Sequence, residues 1–307
     1  MFAPLVNVFM AAYLVHIFRD KSPTTGSKKS DWFRRLSWWK HFGEYFPISL
    51  IPTAQLDPEQ KYIFGYHPHG IISFGAIATF GTEGVGFSEI FKGIDVHLVT
   101  LPINFRVPFL REVWLRLGIC DSSKETFRNI LSKGSGSAIA LVVGGANESL
   151  SAEPGTMGDL TLCKRRGFVR QALLYDACLV PVLGFGETDV FAVAKWPAVK
   201  RLQEKLQKTM GFAMPIFHGR GIFQKAFGLL PFRKPIHVVV GRPLNLKEID
   251  SRAREAAEKG EKWLSQDPEG MELVERCHAA YVKELQRTYD DFKDLIYCHR
   301  TSSMRIR

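Results

Sequence analysis

The densest chemistry in this 307-residue chain lies in the run Tyr62-Ile63-Phe64-Gly65-Tyr66-His67-Pro68-His69-Gly70. An apolar stretch of strand length ends in two histidines separated by a proline. Imidazole titrates near neutrality and can take a proton from a hydroxyl group. Pro68 disfavours a helical His67, and Gly70 lets main chain approach a ligand closely. His69 is therefore the candidate general base, with His67 beside it and with Pro68 and Gly70 shaping the substrate side of the turn. The pair could instead ligate a metal or pack in the core. No third histidine or carboxylate stands at a metal-site spacing, so no metal is expected.

Three further stretches offer polar groups. Val142-Val143-Gly144-Gly145-Ala146-Asn147-Glu148-Ser149 passes from apolar residues through two glycines to a carboxylate. The N–H groups of Gly144 and Gly145 can turn toward a site, and Glu148 could orient and stabilise a protonated histidine. The stretch from Leu101 to Glu112 contributes Asn104 and Arg111 as candidate substrate-binding groups. Lys164, Arg165, Arg166 and Arg170 cluster at an expected helix start, which suits a phosphate; a solvated charged turn is the plainer reading. Cys163 beside them could form a thioester were its pKa lowered. There is no G-x-S-x-G elbow, Walker A sequence or G-x-G-x-x-G.

These groups need a scaffold. Apolar runs at Tyr62–Tyr66, Val96–Thr100, Ala138–Val143, Leu179–Phe185 and Ile236–Val240 read as strands covered on both faces. Helical segments such as Glu125–Ser132 and Phe168–Asp176 lie between them. This alternation predicts an α/β fold with a largely parallel sheet flanked by helices, whose strand ends carry the histidines and glycines. Lys195–Met210 reads as a basic-faced helix, and the glycine- and phenylalanine-rich stretch Met214–Pro231 has no clear element. Ser251–Gln266 reads as a polar helix. Val274, Cys277, Tyr281, Leu285, Phe292 and Leu295 recur at helical spacing and predict one amphipathic C-terminal helix packed on the core.

The amino-terminal end has a different character. Met1 to Phe18 carries no charged side chain apart from His16, and Arg19-Asp20-Lys21 follows. Charge after the apolar run, rather than before it, argues against a secretory signal and places the following chain in the cytosol. A helix of this length rises about 27 Å, short of the roughly 30 Å hydrocarbon core, so the expected element is a membrane-embedded or re-entrant anchor. Residues 19–40 hold seven basic residues against two acidic ones, half of the net charge of +10, with Trp32, Phe33, Trp38 and Trp39 interleaved. That pattern suits a phospholipid surface. No nucleic-acid-binding motif accompanies it. The aromatic share of 12%, with 23 phenylalanines, also favours a lipid partner. Five scattered cysteines without a C-x-x-C pair indicate a reducing compartment. The expected organisation is an embedded segment (1–18), a basic and aromatic interfacial segment (19–60), an α/β domain (61–250) and a helical tail (251–307).

Taken in order, His67-Pro68-His69-Gly70, Pro108 with Arg111-Glu112, Gly144-Gly145-Ala146 with Glu148, Arg166-Gly167-Phe168-Val169-Arg170, Gly184-Phe185-Gly186-Glu187 and Val240-Gly241-Arg242-Pro243 resemble the type-2 diacylglycerol acyltransferase family. The resemblance spans roughly residues 30–295. It implies a glycerolipid acyltransferase-like fold and transfer of a fatty acyl group from acyl-CoA to diacylglycerol at the endoplasmic reticulum and lipid droplets. Monoacylglycerol or a long-chain alcohol is the alternative acceptor, and a non-catalytic lipid-droplet protein the alternative role. Acyl-CoA enters as a substrate, its phosphates held by the basic cluster, and no cofactor is implied. A homo-oligomer is left open. Distant relatives carry an aspartate four residues after the catalytic histidine. Here that position is Ser73, which leaves Glu148 as the candidate orienting acid.

Overall fold

The computed structural model describes residues 3–193, 217–222 and 228–307. The strands are β1 (Ile48–Pro52), β2 (Lys61–His67), β3 (Asp95–Thr100), β4 (Cys120–Asp121), β5 (Ser137–Val142), β6 (Asp159–Leu160), β7 (Ala177–Phe185), β8 (Ala192–Val193), β9 (Phe217–His218), β10 (Ile236–Val240) and β11 (Arg305–Ile306). Seven of them form one sheet in the order β1-β10-β7-β2-β5-β3-β4. Every pair in it is parallel except β10 with β7. All five expected strands are present and the sheet is largely parallel. The expected helix Lys195–Met210, and the parts 214–216 and 223–227 of Met214–Pro231, lie outside the described residues.

Strands β1 and β4 escaped the sequence reading. The first is half-buried at the sheet edge, inside the segment read as interfacial, and the second is two residues long. Neither is long or apolar enough to show a period.

The central strand β2 divides its side chains between two layers, as a period of two requires. Tyr62, Phe64 and Tyr66 enter a core with Phe46, Phe80, Phe87, Phe91 and Leu115. Ile63 enters the other, with Phe168, Val169, Cys277, Tyr281 and Leu285. Phenylalanines are thus spent heavily on the interior, through ring contacts such as Phe64–Phe80, Phe80–Phe87 and Phe87–Phe91. This corrects the view that their number alone signals lipid.

The second core is closed by the helix Pro268–Ile296. Asp267 caps it, accepting from Glu269 N at 2.9 Å, and Pro268 opens it, where a missing N–H is harmless. Its buried stripe of Leu273, Val274, Cys277, Tyr281, Leu285 and Tyr289 packs on the core as expected. Leu295 is 76% exposed and does not belong to that stripe. The polar stretch before it is a 3-10 turn, Ser251–Glu255, followed by Ala256–Gln266, which bends at Gly260 with φ 77°.

Helix Ala3–Arg19 forms at the amino terminus, and no described helix is long and apolar enough to cross a membrane. Of the basic residues that follow, Arg34 is buried, donating to Phe80 O, Gly81 O, Leu117 O and Glu83 Oε1. It ties the segment to the core instead of facing lipid. Trp39 and Phe42 pack in a row of edge-to-face rings, whereas Trp32 and Trp38 point outward.

Gly65 on β2 is where the helix and the sheet meet. A Cβ there would stand 2.1 Å from the Tyr281 hydroxyl. Gly65→Ala is expected to destabilise the protein by about 1–3 kcal/mol through overpacking. Gly167→Ala, with open space at its Cβ, should be neutral or stabilising. Chemical denaturation of the two variants side by side checks the contrast.

Candidate active site

Gly65 on β2, Leu141 on β5 and Val99 on β3 lie in one register across the parallel sheet. The turns after His67, Val142 and Thr100 therefore leave from a single edge, the place where open α/β sheets gather reacting groups.

His69 stands at this edge, half-buried. Its Nδ1 lies 2.9 Å from Ser149 Oγ, 3.1 Å from Gly70 O and 3.5 Å from Ser73 Oγ. A carbonyl oxygen only accepts, so Nδ1 carries the proton and Nε2 presents its lone pair. Among the described residues no protein group bonds to Nε2. Burial lowers the imidazole pKa from 6.5, opposed by the contact with Gly70 O, so the ring is neutral at neutral pH.

His67 is placed differently from the expectation. It is fully buried, and its Nε2–H donates to Tyr281 Oη at 2.9 Å, since that hydroxyl spends its own proton on Gly65 O at 3.1 Å. Its Nδ1 is buried with no partner among the described residues, and burial pushes the pKa down to about 3. His67 is therefore a neutral packing group that fixes the start of the turn, not a second reacting histidine.

Glu148 is also in the site, but the carboxylate meets the backbone of His69 rather than its ring. Oε2 accepts from His69 N at 2.9 Å and Oε1 from Thr161 N at 2.7 Å. Burial raises its pKa, against the two N–H donors and the charge of Arg165. The carboxylate lies directly over Gly144, where a Cβ would come within 1.8 Å of Glu148 Cδ. Gly145 follows with φ 66°, in the region that favours glycine, and opens the short helix that carries Glu148 and Ser149. Among the described residues the N–H groups of Gly70, Gly144 and Gly145 donate to no protein acceptor. They remain available to an oxyanion, and Pro68 lies buried between the two histidines.

Several participants were missed. Ser149 and Ser73 are the side chains that face the imidazole, Ser73 occupying the fourth position after His69. Ser73 also donates to His69 O at 2.6 Å. Glu187 is buried, and its Oε2 accepts from Tyr66 Oη at 2.5 Å and Gly75 N at 2.9 Å. One carboxyl thus grips the chain before and after the histidine turn. Burial raises its pKa to about 7. In the sequence Glu187 stands out only within a stretch that carries the family resemblance, and Ser73 only as the residue in place of an aspartate; Ser149 leaves no signal.

Other expected residues lie elsewhere. Asn104 donates to Thr100 Oγ1 at 2.7 Å inside its own turn. Arg111 is completely buried, donating to Phe105 O at 3.1 Å, Asp20 Oδ2 at 2.7 Å and Glu112 Oε1 at 2.5 Å. It clamps the amino-terminal helix to the 101–112 turn and cannot meet substrate. The basic cluster is split. Arg165 Nη2 donates to Gly144 O at 3.3 Å, beside the site. Arg166 turns toward the C-terminal helix, pairing with Glu275 at 2.6 and 2.8 Å. The side chains of Lys164 and Arg170 make no bond among the described residues. Among those residues no group of three or more histidine, cysteine, aspartate or glutamate side chains is arranged to hold a metal ion.

Comparison with known proteins gives this arrangement a context. The sequence profile of the diacylglycerol acyltransferase family matches residues 1–307. Diacylglycerol O-acyltransferase 2B of Umbelopsis ramanniana is 41% identical over 306 residues, covering 99% of this chain and 84% of its own. Diacylglycerol O-acyltransferase 2 of Dictyostelium discoideum is 41% identical over 307 residues, covering 99% and 88%. The bovine 2-acylglycerol O-acyltransferase 1 is 42% identical over 286 residues, covering 92% and 80%. A family match over the whole length and relatives about 41% identical over nearly all of it show one thing: the chain belongs to the diacylglycerol acyltransferase family.

Proposed function

We propose that the protein transfers a fatty acyl group from acyl-CoA to the free hydroxyl of diacylglycerol, forming triacylglycerol, with His69 as general base. The observation that carries this reading is the fixed tautomer of His69, whose Nδ1 is engaged by Gly70 O and Ser149 Oγ and whose Nε2 lone pair is left for a substrate hydroxyl.

The acceptor O–H gives its proton to His69 Nε2 as the oxygen attacks the thioester carbonyl. The N–H groups of Gly70, Gly144 and Gly145 are the candidate donors to the developing oxyanion. The imidazolium is stabilised at Nδ1 by Gly70 O and Ser149 Oγ, while Glu148 holds the His69 backbone in place. When the C–S bond breaks, the CoA thiolate takes the proton from Nε2, leaving the ester and free CoA. A thiolate is a good leaving group, so neither a covalent enzyme intermediate through Cys163 nor a cofactor is needed. Arg165, with Lys164 and Arg170, is available to the phosphates of CoA, whereas Arg166 is already neutralised by Glu275.

Monoacylglycerol is the second acceptor reading, favoured by the bovine relative named for 2-acylglycerol. Both acceptors reside in membranes. The accompanying proposal is a site at the endoplasmic reticulum membrane and lipid-droplet surface, with the catalytic edge on the cytosolic side.

Membranes containing the protein, given labelled oleoyl-CoA and each acceptor separately, are expected to make triacylglycerol from diacylglycerol. His69→Ala should lower the rate by about 10²–10⁴-fold. Labelled diacylglycerol or wax ester instead would change the acceptor, and no ester at all would sink the reading. Because burial lowers the His69 pKa, the base stays neutral to lower pH than free histidine. The acidic limb of kcat/KM should accordingly inflect below 6.5; an inflection above that value would refute the assignment. Ser149→Ala should reduce kcat by about tenfold with little change in KM, the size of one lost hydrogen bond to a charged ring. Gly144→Ala should match Glu148→Ala in lost activity, since both displace the same carboxylate. Steady-state kinetics on folded variants, checked by circular dichroism, tests both.

A further inference from the structure

From residue 6 to residue 19 the amino-terminal helix has almost no buried surface: Ile17 is buried and Tyr13 half-buried, while Val6, Val8, Phe9, Leu14, Val15 and Phe18 are exposed. An exposed apolar face beside it comes from the turn after β3, where Leu101, Ile103, Val107, Phe109 and Leu110 all point into solvent. The two elements are joined. The Tyr13 and Phe109 rings stack at 5.4 Å, Phe109 N donates to Tyr13 Oη at 3.0 Å, and Tyr13 Oη donates to Glu112 Oε1 at 3.3 Å. The buried Arg111–Asp20 ion pair locks the same junction from beneath. Phe109 itself is held at φ 63°, a conformation that a side chain resists, with its ring 66% exposed.

Exposed apolar groups on this scale mark an interaction surface. Around it Arg19, Lys21 and Arg106 have no carboxylate partner among the described residues, so an anionic, two-dimensional apolar phase fits both the charge and the grease. The turn leaves the same sheet edge as His69, and Ile72 of the histidine turn is also exposed.

We propose that residues 101–110 dock into a phospholipid surface together with helix Ala3–Arg19, as one clamped unit, and so bring the His69 edge against the lipid that holds the acceptor. This rests on the acyltransferase reading for its purpose, but its test does not need turnover. In the full chain with Cys163→Ser and Cys298→Ser, an environment-sensitive fluorophore on Phe109→Cys should shift to the blue with phosphatidylcholine–phosphatidylserine vesicles and be quenched by nitroxide-labelled lipid. The same label on Glu258→Cys, at an exposed position in the Ala256–Gln266 helix, should not. Failure of the protein to float with the vesicles would overturn the proposal, as would an unchanged Phe109 label on floating protein. A blue shift that grows with protein concentration without lipid would overturn it too, by making a second copy the occupant. Val107→Asp, which leaves the Tyr13 contact intact, should weaken vesicle partition by about tenfold. It should keep His69-dependent activity on detergent-dispersed substrate. Loss of activity in wild type, with docking intact, would count against the catalytic reading alone.

Discussion

The hydroxyl of Tyr281 reaches from the C-terminal helix into the space that Gly65 leaves on the central strand. There it accepts from His67 Nε2–H and donates to Gly65 O. This contact spans 214 residues of chain and is sealed from water. Both partners are then obliged to stay: an imidazole N–H or a strand carbonyl buried without its mate loses roughly 1–3 kcal/mol. The position of the histidine turn follows from it. His67 is pinned at one end, and Glu187 ties the chain on either side through Tyr66 and Gly75. His69 is left as the imidazole able to meet a substrate.

Burial then sets the charge states. Desolvation pushes His67 and His69 toward the neutral ring and Glu148 and Glu187 toward the neutral acid. Much of the compensation is main-chain: N–H groups of His69, Thr161 and Gly75 donate to the carboxylates, and Gly70 O accepts the ring proton. Main-chain partners cannot rotate away, so the site is preorganised by the turns themselves. Two closely approached glycines, Gly65 and Gly144, are the geometric condition for this. Each leaves the room in which a polar group from another element sits.

The clamp at Arg111 extends the same logic to the periphery. A buried guanidinium shared by Asp20, Glu112 and Phe105 O fastens the end of the amino-terminal helix to the turn that leaves the same sheet edge as the histidine turn. Burial by itself would raise the Asp20 pKa, but hydrogen bonds from Ser22, Arg111 and Lys28 more than offset it and keep the carboxylate ionised. A pair this enclosed resists salt far better than surface ion pairs do.

Much of the architecture was legible because burial on both faces leaves a one-dimensional trace. The runs at Tyr62–Tyr66 and Leu179–Phe185 could hardly be other than central strands, and helical spacing from Val274 to Leu285 announced a packed helix. The position of His69 at a strand end, with two glycines to approach it, was readable for the same reason. Edge strand β1 and the two-residue β4 were not, since short half-exposed strands carry little hydrophobic pattern. The division of labour inside the site was hidden more deeply. His67 and His69 have the same chemistry and stand two residues apart. The strand ends at His67, whose ring is buried against Tyr281, and only the turn that follows carries His69 out to the sheet edge. Arg111 and Arg165 look alike in a sequence, yet the fold closes one inside an ion pair and lays the other along Gly144. The serine at 149 bore no mark at all. Residue type and periodicity determined which groups were capable of the chemistry and roughly which strand ends would carry them. Which of them touch depends on distances across elements far apart in the chain, and these exist only once the sheet is in register and the C-terminal helix is packed against it.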